Sequence, residues 1–190
     1  MSALKTSLIL ALSAALAAPL CASAAAPPLF SASNLVGARI VDARGAAVGE
    51  LRDLAIDVSR ATVAYAIVDF HGAGVQNVGL RSVPLDAFRS GLARGKLSLD
   101  PSQYLDWNSQ IRTRPFAEVL RASTLLGMEV DRANGRDYGT LRDVLLEFPG
   151  GRVREADLAP ARANAPVREV PFAALRFPRT ANAAVLARLP

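Results

Sequence analysis

The sequence predicts a mainly β protein: two small antiparallel β-barrels in tandem, joined by a short helical connector. Three observations carry that prediction. One stretch occurs twice, SNLVGARIVDARGAAVGELRDLAID at 33–57 and STLLGMEVDRANGRDYGTLRDVLLE at 123–147, ninety positions apart with no gap. Ser33, Leu35, Gly37, Gly45, Gly49, Leu51, Arg52 and Asp53 meet the identical residues Ser123, Leu125, Gly127, Gly135, Gly139, Leu141, Arg142 and Asp143. A second block, Val83-Pro84-Leu85-Asp86-Ala87-Phe88-Arg89, is echoed in the same order by Val170-Pro171-Phe172-Ala173-Ala174-Leu175-Arg176, so one small unit is duplicated. Between these blocks, short β-branched and apolar runs alternate with glycine turns, the pattern of a small barrel.

The chain opens with Lys5, an apolar run Leu8–Leu20, and Cys21-Ala22-Ser23-Ala24-Ala25-Ala26 before Pro27-Pro28. A basic start, a short apolar core and a small-residue site describe a secretory signal peptide, here residues 1–24 with cleavage after Ala24. The run is shorter than the ~20 residues of a spanning helix, and Pro19 interrupts it. Leu20 is not the small residue that lipidation at Cys21 would want. Export to a bacterial periplasm is the expected localisation. The single cysteine leaves with the leader, so neither a disulfide nor a thiol enzyme is expected.

The first unit is assigned to 33–99. Leu35-Val36-Gly37 leads into a short strand over Ala38–Asp42, and Gly45 makes the turn back. The strand that resumes at Val48 carries Leu51 and Leu54, three apart, which share a face only if an extra residue is inserted between them. A β-bulge at Arg52-Asp53 does this and bends the strand, and Arg142-Asp143 repeats the offset between Leu141 and Val144. Ser59-Arg60-Ala61 is the next turn. Thr62–Phe70 is the strongest strand signal, His71–Gly74 a loop, and Asn77–Val83 a strand ended by Pro84. Lys96–Leu99 adds a closing strand.

The pattern Leu35-x-Gly37, Gly45, Val48-Gly49-x-Leu51-x-Asp53, Tyr65-x-Ile67-Val68 and Val83-Pro84-Leu85 resembles the PRC-barrel domain. That six-stranded barrel occurs in the H subunit of photosynthetic reaction centres, in a ribosome-maturation factor and in many exported bacterial proteins without assigned activity. The resemblance implies fold more than function, because the same barrel serves unrelated tasks. Export argues against a ribosomal role, and secretion against the membrane-anchored cytoplasmic topology of the H subunit. The motif positions are Gly37, Gly45, Gly49, Asp53 and Pro84 in the first copy, and Gly127, Gly135, Gly139, Asp143 and Pro171 in the second. The second copy, 123–177, departs in its middle, where Gly150–Ala156 is polar and short, so it reads as degenerate.

The connector is 100–122. Asp100 or Ser102 caps one short helix through Tyr104, Trp107 and Ile111, and Pro115 starts another carrying Phe116, Val119 and Leu120. Trp107 is expected to pack the connector on a barrel. Residues 178–190 are an Ala-rich tail, loose or a short terminal helix.

Chemistry is sparse. The formal net charge is +5, from 22 Lys+Arg against 17 Asp+Glu; without Lys5 the counts are 21 against 17, or +4. The charges are well mixed, with no run of five basic residues, so no nucleic-acid partner is expected. His71 is the only histidine; Asp69 beside it makes two ligands where a metal site usually wants three or four. The Arg-Asp pairs serve backbone donors at the bulges. No catalytic, cofactor-binding or metal residues are assigned, and no cofactor is expected. The sequence supports a non-enzymatic periplasmic binding or scaffolding module with a protein partner or self-association. The alternatives are an electrostatic binder of anionic lipid or envelope polymer through Arg39, Arg44, Arg112 and Arg114, and an enzyme using His71 with Asp69.

Overall fold

A computed structural model describes residues 27–72, 75–89, 95–104, 119–162, 164–178 and 183–187. The expected leader at 1–24, Trp107, Ile111, Arg112, Arg114, Pro115 and Phe116 lie outside the described residues. Among those described, no helix is long and apolar enough to cross a membrane.

The first copy consists of β1 (Leu29–Ser31), α1 (Ala32–Leu35), β2 (Arg39–Val41), β3 (Ala47–Asp57), β4 (Thr62–Gly72), β5 (Val75–Val83) and β6 (Lys96–Ser98). The second repeats the series as β7 (Val119–Arg121), α2 (Ala122–Leu125), β8 (Glu129–Arg132), β9 (Asp137–Glu147), β10 (Val153–Pro160), β11 (Arg168–Pro171), β12 (Leu175–Arg176) and β13 (Ala183–Leu186). One sheet runs β5-β4-β3-β2-β6 and the other β11-β10-β9-β8-β13-β12, each curled into a half-barrel. Pairing is antiparallel except at β2–β6 and β8–β13, which are parallel. Parallel neighbours need a crossover connection. Here it passes through a 3₁₀ turn at Leu85–Ala87 or Phe172–Ala174, each started by its proline, Pro84 or Pro171.

The bulges fall where the leucine spacing requires them. On β3, Leu51 pairs with Val68 and Asp53 with Ile67, leaving Arg52 as the inserted residue. On β9, Leu141 pairs with Leu158 and Asp143 with Asp157, leaving Arg142. The insertion turns Leu51 and Leu54, both fully buried, onto one face.

Four expectations give way, the first being the loop at His71–Gly74, whose first two residues extend β4. The middle of the second copy is a strand of normal length, β10, whose Val153, Ala156 and Leu158 are buried while Arg154 is exposed. Its polar residues take the outer face, and two register shifts against β9 hide the alternation. The tail closes the second sheet through β13, with Ala184 and Leu186 buried against β8. Ala183–Leu186 is thus the counterpart of the closing strand of the first copy, offset by 87 positions like the Val-Pro block. In the connector, Pro101–Tyr104 is a 3₁₀ turn, where Asp100 accepts hydrogen bonds from Ser102 N at 3.1 Å and Ser102 Oγ at 2.8 Å. Val119–Arg121 is a strand, because an open edge of β3 is there to pair with it.

Gly49 and Gly139 mark a close approach. A Cβ on Gly49 would collide with the carbonyl oxygen of Asp69 on β4, and one on Gly139 with that of Ala159 on β10. Gly49→Ala should therefore lower stability by about 1–3 kcal/mol, measured as a fall in urea midpoint at unchanged m-value.

Candidate functional site

The two copies meet by exchanging their first strands. β1, from the start of the first copy, pairs with β9 of the second in the register Leu29↔Glu147, Phe30↔Leu146, Ser31↔Leu145. β7, from the start of the second, pairs with β3 of the first as Val119↔Asp57, Leu120↔Ile56, Arg121↔Ala55. Shifted by ninety positions the two registers coincide. Between them Thr62 bridges Arg152, also ninety apart. Val63 N donates to Gly151 O at 2.7 Å and Val153 N to Ala61 O at 2.8 Å. Reciprocal contacts of this kind define an isologous interface, here with an approximate two-fold axis inside one chain.

The bulge aspartates clamp the exchange. Asp53, 5% exposed, accepts from its own neighbour Leu54 N at 2.8 Å, and from Ser123 N at 3.1 Å and Ser123 Oγ at 2.5 Å across the interface. Asp143 accepts from Val144 N at 2.8 Å, Ser33 N at 3.2 Å and Ser33 Oγ at 2.5 Å. Ser31 Oγ adds a further bond to Asp143 at 2.6 Å. Ser33 and Ser123 sit in the single helical turns, α1 and α2, that follow the exchanged strands, and Ser31 caps α1. Burial acts to raise the Asp143 pKa; the hydroxyls of Ser31 and Ser33 and the N–H groups of Val144 and Ser33 outweigh it and hold the carboxyl below the ordinary aspartate range.

Sequence reasoning assigned these aspartates to backbone donors at the bulge, and Leu54 N and Val144 N are such donors. It missed the partner in the other copy. Ser33 and Ser123 were visible as an identical pair in the repeat, but nothing local connects them to an aspartate in the opposite unit.

The remaining motif residues place the chain. Gly45 and Gly135 lie in the β2–β3 and β8–β9 turns, and Gly37 N and Gly127 N donate to the carbonyls of Leu51 and Leu141 at 2.7 and 2.8 Å. Arg52 is exposed on the outer face. There its Nη2 lies 3.1 Å from Asp69 Oδ2 and its Nη1 3.2 Å from Glu50 Oε1. His71 Nδ1 is 3.1 Å from Asp69 O and 3.9 Å from Asp69 Oδ2, with the side chain about half exposed. Asp69 is thus engaged by Arg52 on the outer face. Among the described residues, no three His, Cys, Asp or Glu side chains group as metal ligands.

On the second sheet Asp157 lies between Asp143 and Glu169 on the flanking strands. Its Oδ1 is buried without a hydrogen-bond partner. Burial, then the like charges of Glu169 and Asp143, push its pKa up.

Comparison with known families agrees with this architecture. The family model of the PRC-barrel domain matches twice, at residues 27–91 and 117–176, more than half of the chain. The chain belongs to the PRC-barrel family, with two tandem copies of the domain. That family is in general non-catalytic. A search of curated proteins finds no match to this chain.

Removing the clamp should be costly in proportion to the donors it strands. Asp53→Ala leaves Leu54 N, Ser123 N and Ser123 Oγ unpaired, and should cost about 1.5–3 kcal/mol in chemical unfolding. Asp143 and Asp157 should act in opposite directions with pH. The depressed pKa of Asp143 makes its stabilisation complete above the unfolded value and lost as pH falls through the folded one, so Asp143→Asn should flatten the acid limb of a Tm–pH profile. The raised pKa of Asp157 means its charged form is disfavoured in the folded state. Asp157→Asn should therefore raise Tm at neutral pH, with the gain fading as pH falls toward the ordinary aspartate value of 3.8.

Proposed function

We propose that the chain is a non-enzymatic binding or scaffolding module, exported to the bacterial periplasm, whose partner is a protein. The observation that supports this reading most directly is the duplication of an open edge. β5 and β11 end their sheets, and each pairs on one side only among the described strands. Leu80 on β5 is 46% exposed, and Val167, just before β11, is 38% exposed; they are 87 positions apart and equivalent in the two copies. An open strand edge with an apolar side chain beside it is a template for strand addition by a partner. The internal two-fold presents that template twice, which favours a partner with two matching strands or two copies of one partner.

The second reading, binding to anionic lipid or envelope polymer, draws support from Arg39 and Arg44, both exposed. The two readings differ in salt dependence, since purely electrostatic adsorption weakens steeply as salt rises.

The test is crosslinking capture from periplasm with the mature protein and with a Leu80→Lys/Val167→Lys variant, at low and high salt. The protein-partner reading expects a defined partner retained at high salt and lost from the variant, whose Tm stays near the wild-type value. Capture of lipid or polymer at low salt only would transfer the assignment to the second reading. Mass spectrometry of the periplasmic protein should find a chain beginning at Ala25; retention of residues 1–24 would refute export with cleavage.

A further inference from the structure

The internal two-fold supplies a control for every surface position, and one corner of the interface fails it. On one side of the axis, Phe148 packs against Phe30 and Phe88, with ring centroids 6.0 and 5.6 Å apart. Phe88 and Phe148 are 1% and 7% exposed, so this corner is filled. On the other side the equivalent positions hold Val58, Leu120 and Leu175. Each is smaller than phenylalanine. An open groove of about 530 Å³ lies there, lined by Val58, Ala173, Leu175, Arg176 and Phe177 among others. Phe177 is stacked on Phe172 at 5.4 Å and forms a wall of the groove.

Charge breaks the symmetry at the same corner. Ala173 also lines an adjoining groove of about 510 Å³, which carries Arg60, Arg152 and Arg154. The equivalents of these three arginines in the other copy are Gly150, Thr62 and Ala64, and the equivalent of Ala173 is Asp86. Arg60 lies 3.8 Å from Asp57, Arg154 lies 3.4 Å from Glu147, and Glu155 lines the same groove. Arg152 and Arg176 make no ion pair among the described residues and are exposed. The hollow corner carries Arg60, Arg152 and Arg154, which its counterpart lacks, while Arg176 is matched there by Arg89.

We propose that this corner binds an extended segment of a partner protein that presents an aromatic side chain flanked by carboxylates. The ring takes the space that a phenyl group occupies on the opposite side of the axis, over Val58 and Leu175. The carboxylates meet Arg176 and Arg152, and Arg is suited to planar bidentate contact with a carboxylate. The proposal deepens the reading of the chain as a binding module but uses a face separate from the β5 and β11 edges.

The experiment is an NMR titration of the mature full-length protein with an acetylated peptide Asp-Glu-Phe-Glu-Asp and with its Phe→Ala analogue. Saturable shifts at Val58, Ala173 and Leu175 are expected with the first peptide. The analogue should bind at least about tenfold more weakly, the loss that follows from leaving one aromatic side chain unburied. Val58→Phe fills the groove from within and should abolish the difference between the two peptides. Arg152→Gln/Arg176→Gln, at exposed positions that leave the core untouched, should weaken the Phe peptide and reduce its salt dependence. Leu80→Lys/Val167→Lys should leave peptide binding unchanged, so failure here and failure of the edge reading are read separately. Equal binding of both peptides, no saturation with the Phe peptide, or tighter engagement of the same residues by phosphatidylglycerol vesicles than by the peptide would each overturn the proposal.

Discussion

A carboxylate turned toward the other copy by a backbone bulge is the constraint on which the rest of the structure depends. With regular alternation the aspartate would share the inward face of Leu51 or Leu141; the inserted residue at Arg52 or Arg142 keeps Leu51 with Leu54 on that face and turns the aspartate to the other one. There Arg52 reaches Glu50 and Asp69, and Asp53 meets Ser123. A nearly buried carboxylate persists only if its lone pairs are satisfied. Asp53 has one donor in its own strand and two in the other copy, so most of that satisfaction depends on the second unit being in place. The same holds in reverse for Asp143.

It follows that the two copies are not independent beads. Each sheet contains a strand contributed by the other, and one apolar cluster of buried residues runs through both, from Leu35 and Leu51 to Leu141 and Leu186. A short exchanged strand such as β1 or β7 holds too few residues to be stable at an edge by itself. It is kept there by the helical turn and serine that follow it. Fusion in one chain favours this arrangement through effective concentration, which for linked modules is on the order of millimolar.

Much of this was legible in the sequence, and the limits have physical causes. The bulge could be read from Leu51 and Leu54 because side-chain alternation along a strand leaves no other way to bury both. The duplication could be read from glycines and the Val-Pro block because turn geometry and close backbone approach tolerate few substitutes, as Gly49 beside the Asp69 carbonyl shows. The β10 strand was hidden by its register shifts, and β13 by an Ala-rich sequence whose strand form comes from pairing with β8. Local pattern does not encode such tertiary pairing. The exchange itself lay beyond reach for the same reason: Val119–Arg121 has no preference that distinguishes its own sheet from its neighbour's.

The filled interior also bears on where function can reside. Leu51, Leu54, Phe70 and Ile40 are fully buried in the first copy, as are Leu141, Val144 and Leu158 in the second, so the described sheets enclose packed side chains and the surfaces proposed for binding lie outside them. Two surfaces are available by different logics. The β5 and β11 edges are alike in both copies, and likeness across the two-fold is what a fold requirement or a symmetric partner would preserve. The corner at Val58 and Leu175 is unlike its counterpart in side-chain volume and, through Arg60, Arg152 and Arg154, in charge. Once two copies share a chain, a single substitution changes one side of the axis and not the other, a freedom that a dimer of identical chains lacks. An asymmetry that opens space and adds cations at one place, while the equivalent corner keeps its phenyl rings, is therefore the feature least explained by the fold. A partner that occupies one corner and approaches from one direction would account for it.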